Sequence, residues 1–344
     1  MAMTAARDDR VRNRRFPTYI YITGHGHSGT TLLTLLLGRS GGIASMGEAA
    51  YLPLQCYRDR STRWPGLCSC GERPFDCAVW GAVIESVARD YGKDLRSDPF
   101  SWRVSDIGLE EEYRRHAIWR SPGSWVRNRL WRSLRYAQYG GYPVISTLSR
   151  VYQPQRRWIL NRTYVAERFA ESFGAGAVVD SSKDFLGLRD LVEFSPLTVK
   201  VIFMTRDPRG NVWSYAKNAK TTDERKQRVR LGARRWNSAN HKARRLLDDV
   251  TASTWMHLRY EDLCREPEKT LAGIMDFVGL PFSGYPLQEG SDGWHAIAGN
   301  KLRFGARAIS VREDNTWRET LDEQELTTIR RICADLGAKL GYDL

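Results

Sequence analysis

Short apolar runs, each followed by a polar turn, predict four β-strands at residues 18–23, 177–180, 199–204 and 254–259. Apolar residues at helical spacing lie between and after these runs. They predict helices at 30–38, 155–172, 185–194, 208–218, 222–248, 266–278 and 321–338. Because strands alternate with helices, we expect a three-layer α/β/α fold with a central parallel sheet. Its functional loops should lie at the carboxyl ends of the strands.

Residues 51–154 interrupt this alternation. They contain six of the twelve tryptophans, four of the six cysteines and many arginines. We predict a largely helical insertion within one domain at 18–344, folded over the carboxyl edge of the sheet on the substrate side. A hydrophobic core without a ligand role is the alternative, and for any single tryptophan it is the preferred interpretation. Residues 1–17 are predicted to be a disordered basic tail.

The chain is strongly basic, with 53 Lys and Arg residues against 40 Asp and Glu residues, a net charge of +13 and a pI near 9.6. Such a balance favours anionic partners: nucleic acid, a polyanionic glycan or a nucleotide with several phosphates. No apolar run approaches the ~18 residues of a membrane span. The amino-terminal segment also lacks the apolar centre of a signal peptide. We therefore expect a cytoplasmic protein.

Four cysteines lie close together in the sequence. Cys68 and Cys70 are followed by Gly71 and then by Cys77, with Cys56 a little earlier. This spacing could hold zinc, although it departs from the usual C-x-x-C pair. A disulfide and reduced packing thiols are the alternatives, and the cytoplasmic expectation favours the thiols.

The segment GHGHSGTT, Gly24 to Thr31, lies where the first strand meets the first helix. Its glycine spacing matches the phosphate-binding loop G-x-x-x-x-G-K-[ST], but Thr30 replaces the lysine. Backbone N–H groups in a glycine turn at a helix N-terminus bind anions. A plain glycine turn is the alternative.

The segment RDPRGNVWS, which begins at Arg206, has a related layout. Arg206 emerges at the carboxyl end of the strand at 199–204, Asp207 can cap the next helix, and Pro208 suits its first position. Ser214 follows about two turns later, so Arg206 and Ser214 could converge on a second phosphate. An arginine paired with a carboxylate and a solvent-facing serine would explain the same residues.

Together these segments resemble the 5′-phosphosulfate and 3′-phosphate motifs of sulfotransferases that use 3′-phosphoadenosine 5′-phosphosulfate (PAPS). The likeness is closest to carbohydrate and protein-tyrosine sulfotransferases, and it implies a P-loop-like fold. Further similar segments follow in the family's order, at 46–48, 179–184, 258–263, 276–281 and, more weakly, 299–303.

The resemblance also implies a site in which the donor loses its sulfonate and leaves as 3′-phosphoadenosine 5′-phosphate (PAP), with no metal required. Glu48 would be the base, and Lys183 would contact the transferring group. His27 stands where the family has Lys or Arg, so this chain departs from the pattern there. The implied donor-binding residues are Gly26, His27, Ser28, Gly29, Thr30, Thr31, Arg206, Ser214 and Arg303.

The acceptor is predicted less directly. A basic, tryptophan-rich insertion suits a glycan or a glycosylated metabolite, followed by a peptide tyrosine and a small aromatic alcohol. A P-loop kinase or triphosphatase is the first alternative class, which the missing lysine and the lack of a clear Mg²⁺-binding aspartate disfavour. The second is a basic nucleic-acid-binding protein, suggested by the arginines of 226–235. A solvated charged face explains that helix as well, so we expect no nucleic-acid partner.

Overall fold

The structure is a computed structural model that describes residues 16–58, 66–105, 157–284, 294–304 and 311–344. Within these ranges, five parallel strands form one sheet in the order β2-β3-β1-β4-β5. The four predicted strands are confirmed, and β2 is an addition. The strands are β1 Thr18–Thr23, β2 Ile43–Gly47, β3 Ala177–Asp180, β4 Val199–Thr205 and β5 Trp255–Arg259.

Helices cover both faces of the sheet, and the predicted helices are present to within a few residues; positions 155 and 156 lie outside the described residues. Helices α8 and α10 were not predicted, and α2 and α3 were predicted only through the helical character of the insertion. The helices are α1 Thr30–Arg39, α2 Leu52–Tyr57, α3 Ala78–Tyr91, α4 Arg157–Glu171, α5 Phe185–Phe194, α6 Pro208–Ala216, α7 Thr222–Asp248, α8 Tyr260–Arg265, α9 Pro267–Val278, α10 Trp317–Thr320 and α11 Glu323–Lys339.

Strand β1 lies at the centre of the sheet, between β3 and β4. Its alternate side chains enter two separate cores. Tyr19 and Tyr21 pack on one face in a core shared with α4 and α7, while Ile20 and Ile22 pack on the other with α1 and α9. A strand buried on both faces explains the unbroken apolar run in the sequence. The expected three-layer α/β/α fold is therefore confirmed.

The region at 51–154 is described only in part. Helices α2 and α3 lie in it, while residues 59–65 and 106–154 are outside the described residues. Trp80 and Trp102 are both buried in the larger core. For these two tryptophans the structure supports a packing role. The helical character of the whole insertion, the domain boundary at 18 and the basic tail stay predictions.

Three arginines of α7 have partners of opposite charge. Arg225 pairs with Glu325 at 2.6 Å, Arg228 with Glu224 at 2.6 Å and Arg244 with Asp248 at 2.9 Å. Of these three, Arg228 lies in the stretch 226–235, and its contact fits the interpretation of that stretch as a solvated charged face. Within the described ranges, no helix is both long and apolar enough to cross a bilayer.

Candidate active site

The predicted site residues follow four neighbouring strands. Strands β2, β3, β1 and β4 are adjacent in that order, so their carboxyl ends form a row about 4.8 Å apart. Glu48 follows β2, Lys183 comes shortly after β3, the segment from Gly24 follows β1, and Arg206 follows β4. The fold therefore brings the predicted catalytic and donor-binding groups to one edge of the sheet.

Two glycines allow the chain to turn from β1 into α1. Gly24 has φ 145° and lies so close to the Met204 carbonyl that a Cβ atom would collide with it. Gly29 caps α1 with φ 84°, and a Cβ atom there would lie 2.5 Å from the Tyr260 ring. Left-handed backbone and close packing both require glycine here. The glycine spacing seen in the sequence thus has a structural cause.

Backbone N–H groups line this turn. Across the described part of the chain, none of the N–H groups of residues 27–31 donates a hydrogen bond to another residue; the first helical bond runs from Leu33 N–H to Gly29 O at 3.0 Å. Unpaired N–H groups at a helix N-terminus, together with the helix dipole, favour an anion. The segment Gly24 to Thr31 therefore has the geometry of a phosphate-binding loop.

The side chain of Asn211 in α6 forms hydrogen bonds with this loop. Its buried side-chain amide donates to Gly26 O at 2.8 Å and to Ser28 Oγ at 3.2 Å. Its Oδ1 lies 3.0 Å from His25 Nδ1. One buried amide thus contacts three residues of the loop, His25, Gly26 and Ser28. This role was not predicted from the sequence, although Asn211 lies within the segment RDPRGNVWS.

His27 lies exposed on the loop, in left-handed backbone with φ 64°. Partial removal from water lowers its pKa, and the nearby charges of His25 and Arg206 act in the same direction. At neutral pH the ring is therefore mostly uncharged in the absence of a bound anion, and can still donate one hydrogen bond. The departure from Lys or Arg is thus a change of charge as well as of side chain.

Glu48 and Lys183 form an ion pair at the ends of β2 and β3. The Lys183 ammonium donates to Glu48 Oε1 and, at 3.1 Å, to Ser181 O. Their side chains are 15% and 19% exposed, so both can be reached from solvent. Lys183 has φ 57°, a left-handed backbone conformation that is uncommon for residues other than glycine. The two predicted catalytic residues are therefore in direct contact.

A buried network lies beneath this pair. Asp180 at the end of β3 accepts from the guanidinium of Arg162 and from Ser182 N–H at 2.8 Å, and both charged side chains are completely buried. Arg162 also donates to the Tyr19 hydroxyl oxygen at 2.7 Å and to Ser182 Oγ at 2.9 Å. The network fixes the backbone that leads to Lys183. Arg162 comes from α4, and nothing in its local sequence distinguished it from a surface arginine.

Arg206 and Ser214 also meet, as the sequence predicts. The Arg206 guanidinium donates to Ser214 Oγ at 3.2 Å and to His27 O at 3.4 Å, so it contacts the loop rather than standing apart from it. It also pairs with the Asp314 carboxylate at 3.3 Å. If an anion bound here, Arg206 would contact both the anion and the Asp314 carboxylate. The sequence did not reveal Asp314 as a partner.

Arg303 is used differently. Its guanidinium donates to backbone carbonyls, to Gly299 O at 2.9 Å and Asn300 O at 3.3 Å within its own segment, and to Leu67 O at 3.4 Å. The side chain is buried, and its Nε has no hydrogen-bond partner among the described residues. These contacts tie the segment 299–303 to residue 67. They leave little of the guanidinium for a phosphate.

The end of β5 is anchored by a buried carboxylate. Glu261 accepts from Asp207 N–H at 2.8 Å and from the Tyr342 hydroxyl at 3.2 Å. Burial raises the pKa of this carboxyl group. Because Asp207 follows Arg206, the contact holds the start of α6 and the donor-side arginine in place.

Residues 106–284, just over half of the 344-residue chain, match the model of the Sulfotransferase family. The chain belongs to the sulfotransferase family. The matched region contains Lys183, Arg206 and Ser214 and begins within the insertion. The loop at Gly24 and Glu48 precede it, so their assignment depends on the motif resemblance and on the geometry above.

Two of the curated relatives that this sulfotransferase resembles are named carbohydrate sulfotransferases. It is similar to carbohydrate sulfotransferase 1 of Rattus norvegicus, with 27% identity over 204 residues that cover 54% of this chain and 49% of that protein. Carbohydrate sulfotransferase 2 of Mus musculus is 25% identical over 200 residues, which cover 46% and 38%. This sulfotransferase spans about half the length of the curated relatives that it matches.

Among solved structures, the sulfotransferase domain of the Synechococcus PCC 7002 olefin synthase is similar to this sulfotransferase, with a TM-score of 0.51. The aligned region covers 96% of this chain and 98% of that domain, and the two sequences are 17% identical. At this identity the likeness concerns the fold alone. It confirms the P-loop-like α/β fold that the motifs imply.

Proposed function

We propose that this sulfotransferase-family protein transfers the sulfonate of PAPS to an acceptor hydroxyl. The observation that carries the proposal is the order of groups along one sheet edge. The N–H groups of residues 27–31 lie in the middle, the Glu48–Lys183 pair lies on one side, and Arg206 with Ser214 lies on the other.

The donor's anionic groups fit this order. The 5′-phosphosulfate would accept hydrogen bonds from the N–H groups of residues 27–31. This loop needs no lysine, because the donor has no γ-phosphate. The 3′-phosphate would bind Arg206 and Ser214, one strand away from the loop. Arg303 is a weaker candidate for that phosphate, since its donors are already used on backbone carbonyls.

Glu48 would act as the base for the acceptor. The donor supplies the sulfonate; the acceptor oxygen forms the new S–O bond while its proton passes to the Glu48 carboxylate. The S–O bond to the 5′-phosphate breaks, and PAP leaves with the electron pair. Lys183 and the loop N–H groups would stabilise the charge on the bridging oxygen, and His27 would donate a hydrogen bond to it. No metal is assigned to this step.

We propose a glycan hydroxyl as the acceptor. The names of the curated relatives and the net charge of +13 support a carbohydrate that carries anionic groups. A peptide tyrosine is the alternative that the motif resemblance leaves open. The cytoplasmic location and the lack of a nucleic-acid partner stay predictions from the sequence.

A transfer assay with sulfonate-labelled PAPS tests this function. Neutral glycans, anionic glycans and a tyrosine peptide would be offered in parallel, with excess PAP as inhibitor. We expect label on a glycan and suppression by PAP. Label on the tyrosine peptide alone would overturn the glycan acceptor, and label on an acceptor without inhibition by PAP would overturn the proposed donor site.

A further inference from the structure

Three cysteines and one histidine converge outside the transfer site. The sulfur atoms of Cys68, Cys70 and Cys77 and a ring nitrogen of His295 all lie within 4.8 Å of one another. His295 Nδ1 is 3.0 Å from Cys77 Sγ and 3.6 Å from Cys68 Sγ. The histidine is 218 residues from Cys77, so the cluster exists only in the folded chain.

This ligand set and spacing suit one metal. Tetrahedral zinc binds sulfur at about 2.3 Å and imidazole nitrogen at about 2.0 Å, so its ligand atoms lie roughly 3.5 to 3.8 Å apart. Three thiolates and one imidazole form a closed set typical of structural zinc. We propose that Cys68, Cys70, Cys77 and His295 bind a structural zinc ion.

The surrounding backbone supports these ligands. Gly71, with φ 92°, closes a tight turn in which its N–H donates to Cys68 O at 2.9 Å. Cys77 caps α3, and its sulfur accepts from Trp80 N–H at 3.5 Å. The Trp80 indole donates to His295 O. Such outer contacts orient the ligands before a metal binds.

Ser69 holds the histidine segment on both sides. Its hydroxyl donates to Trp294 O at 2.9 Å and accepts from Ala296 N–H at 3.0 Å. Its own N–H donates to Ala296 O at 2.9 Å. His295 is thus placed against the cysteine turn by contacts on each neighbouring residue.

The sequence favours reduced packing thiols over zinc ligands for these cysteines. Two cysteines outside the cluster show what the environment of a packing thiol is in this chain. Cys56 and Cys333 are buried, and burial raises the pKa of each thiol. Cys70 is instead exposed, and its sulfur still points into the cluster. A disulfide would use two of the three sulfurs and leave the third, with His295, unexplained.

A bound zinc ion would also help to position Glu48, the proposed base. Ile297, two residues after His295, bridges to Cys68 on one side and to Gly47 on the other. Ile297 N–H donates to Met46 O at 3.1 Å, and Glu48 N–H donates to Ile297 O at 2.8 Å. The metal would therefore fix the segment that positions Glu48, a consequence that rests on the proposed function.

Metal analysis of the full chain tests the site. The protein would be reduced, loaded with Zn²⁺, desalted and measured by mass spectrometry of its metal content. We expect about one zinc per chain, and at least ~100-fold weaker binding in Cys70→Ser, which loses an exposed ligand. The matched control is Cys264→Ser in α8, outside the cluster, which should bind zinc like the wild type.

Less than about half an equivalent of zinc in the wild type, equal binding in Cys70→Ser, or a disulfide among these cysteines in the protein before reduction would overturn the proposal. Cobalt substitution gives a second readout, because tetrahedral thiolate-bound Co²⁺ shows characteristic visible and charge-transfer bands; octahedral bands would contradict the site. Neither readout uses activity. Zinc binding without PAP binding would refute the proposed function alone, and the reverse would refute the zinc site alone.

Discussion

The two sides of the candidate active site are built differently. On the donor side, the loop at Gly24 and the segment at Arg206 are each continuous in sequence, and one buried amide, Asn211, joins them. On the acceptor side, Glu48, Lys183 and the segment 294–303 come from three distant parts of the chain. Donor recognition is therefore a local property of two motifs, whereas the base depends on tertiary contacts.

The largest expected effect is on the acceptor side. Glu48→Gln should lower the transfer rate by about 10³-fold, because a positioned base contributes roughly 10²–10⁴-fold. Affinity for PAP should stay within about threefold, since the carboxylate lies away from the donor arginine. Labelled transfer and calorimetry measure the two quantities. Full activity in this variant would remove Glu48 from the mechanism.

Arg206→Ala should reveal the donor side. Loss of a charge-assisted hydrogen bond to phosphate should weaken PAP binding about 30- to 100-fold. Adenosine 5′-phosphosulfate, which lacks the 3′-phosphate, should lose much less. Arg209→Ala is the matched control, because Arg209 is a neighbouring arginine that pairs with Asp207, the N-cap of α6. Equal losses for both nucleotides would contradict the 3′-phosphate assignment.

Asn211→Ala would remove the side-chain hydrogen bonds that α6 donates to the loop. Removing the buried amide leaves Gly26 O and Ser28 Oγ without that donor, so PAP affinity should fall about 10-fold. Calorimetry gives the affinity, and circular dichroism checks that the fold is retained. An unchanged affinity in a folded variant would show that the loop keeps its shape without Asn211.

The last prediction concerns the stability of the protein and not transfer or donor binding. It involves β5, the edge strand of the sheet beyond the donor side. Burial, followed by the charges of Arg259 and Arg244, lowers the pKa of His257 to about 4, and its Nε2 lies 2.8 Å from Thr205 Oγ1. Between about pH 4 and pH 6.5 the unfolded chain binds a proton that the folded chain does not. Stability therefore falls as the pH falls through this window.

For His257 alone, the free energy of unfolding should fall by about 1 to 2 kcal/mol between about pH 7 and pH 5. His257→Gln should remove that part of the pH dependence. Urea unfolding at both pH values measures it, with the wild type as reference. The same pH dependence in both proteins would exclude His257 as the source.

The comparison also explains what the sequence could predict. Four strands, the principal helices and both donor motifs follow from local patterns that the fold preserves. Strand β2 was missed because Ile43–Gly47 is short and includes serine and glycine. Arg162, Asp314 and His295 were missed because each acts through a partner far away in sequence, and their own neighbours carry no signal of that contact.

Calorimetric titration with PAP tests the central claim, a loop and arginine site built for a bisphosphorylated adenosine, most directly. We expect PAP to bind at least ~100-fold more tightly than ATP with Mg²⁺, because Arg206 and Ser214 would bind the 3′-phosphate and Thr30 replaces the lysine of nucleotide triphosphatases. Tight binding of ATP with Mg²⁺, and none of PAP, would contradict the account.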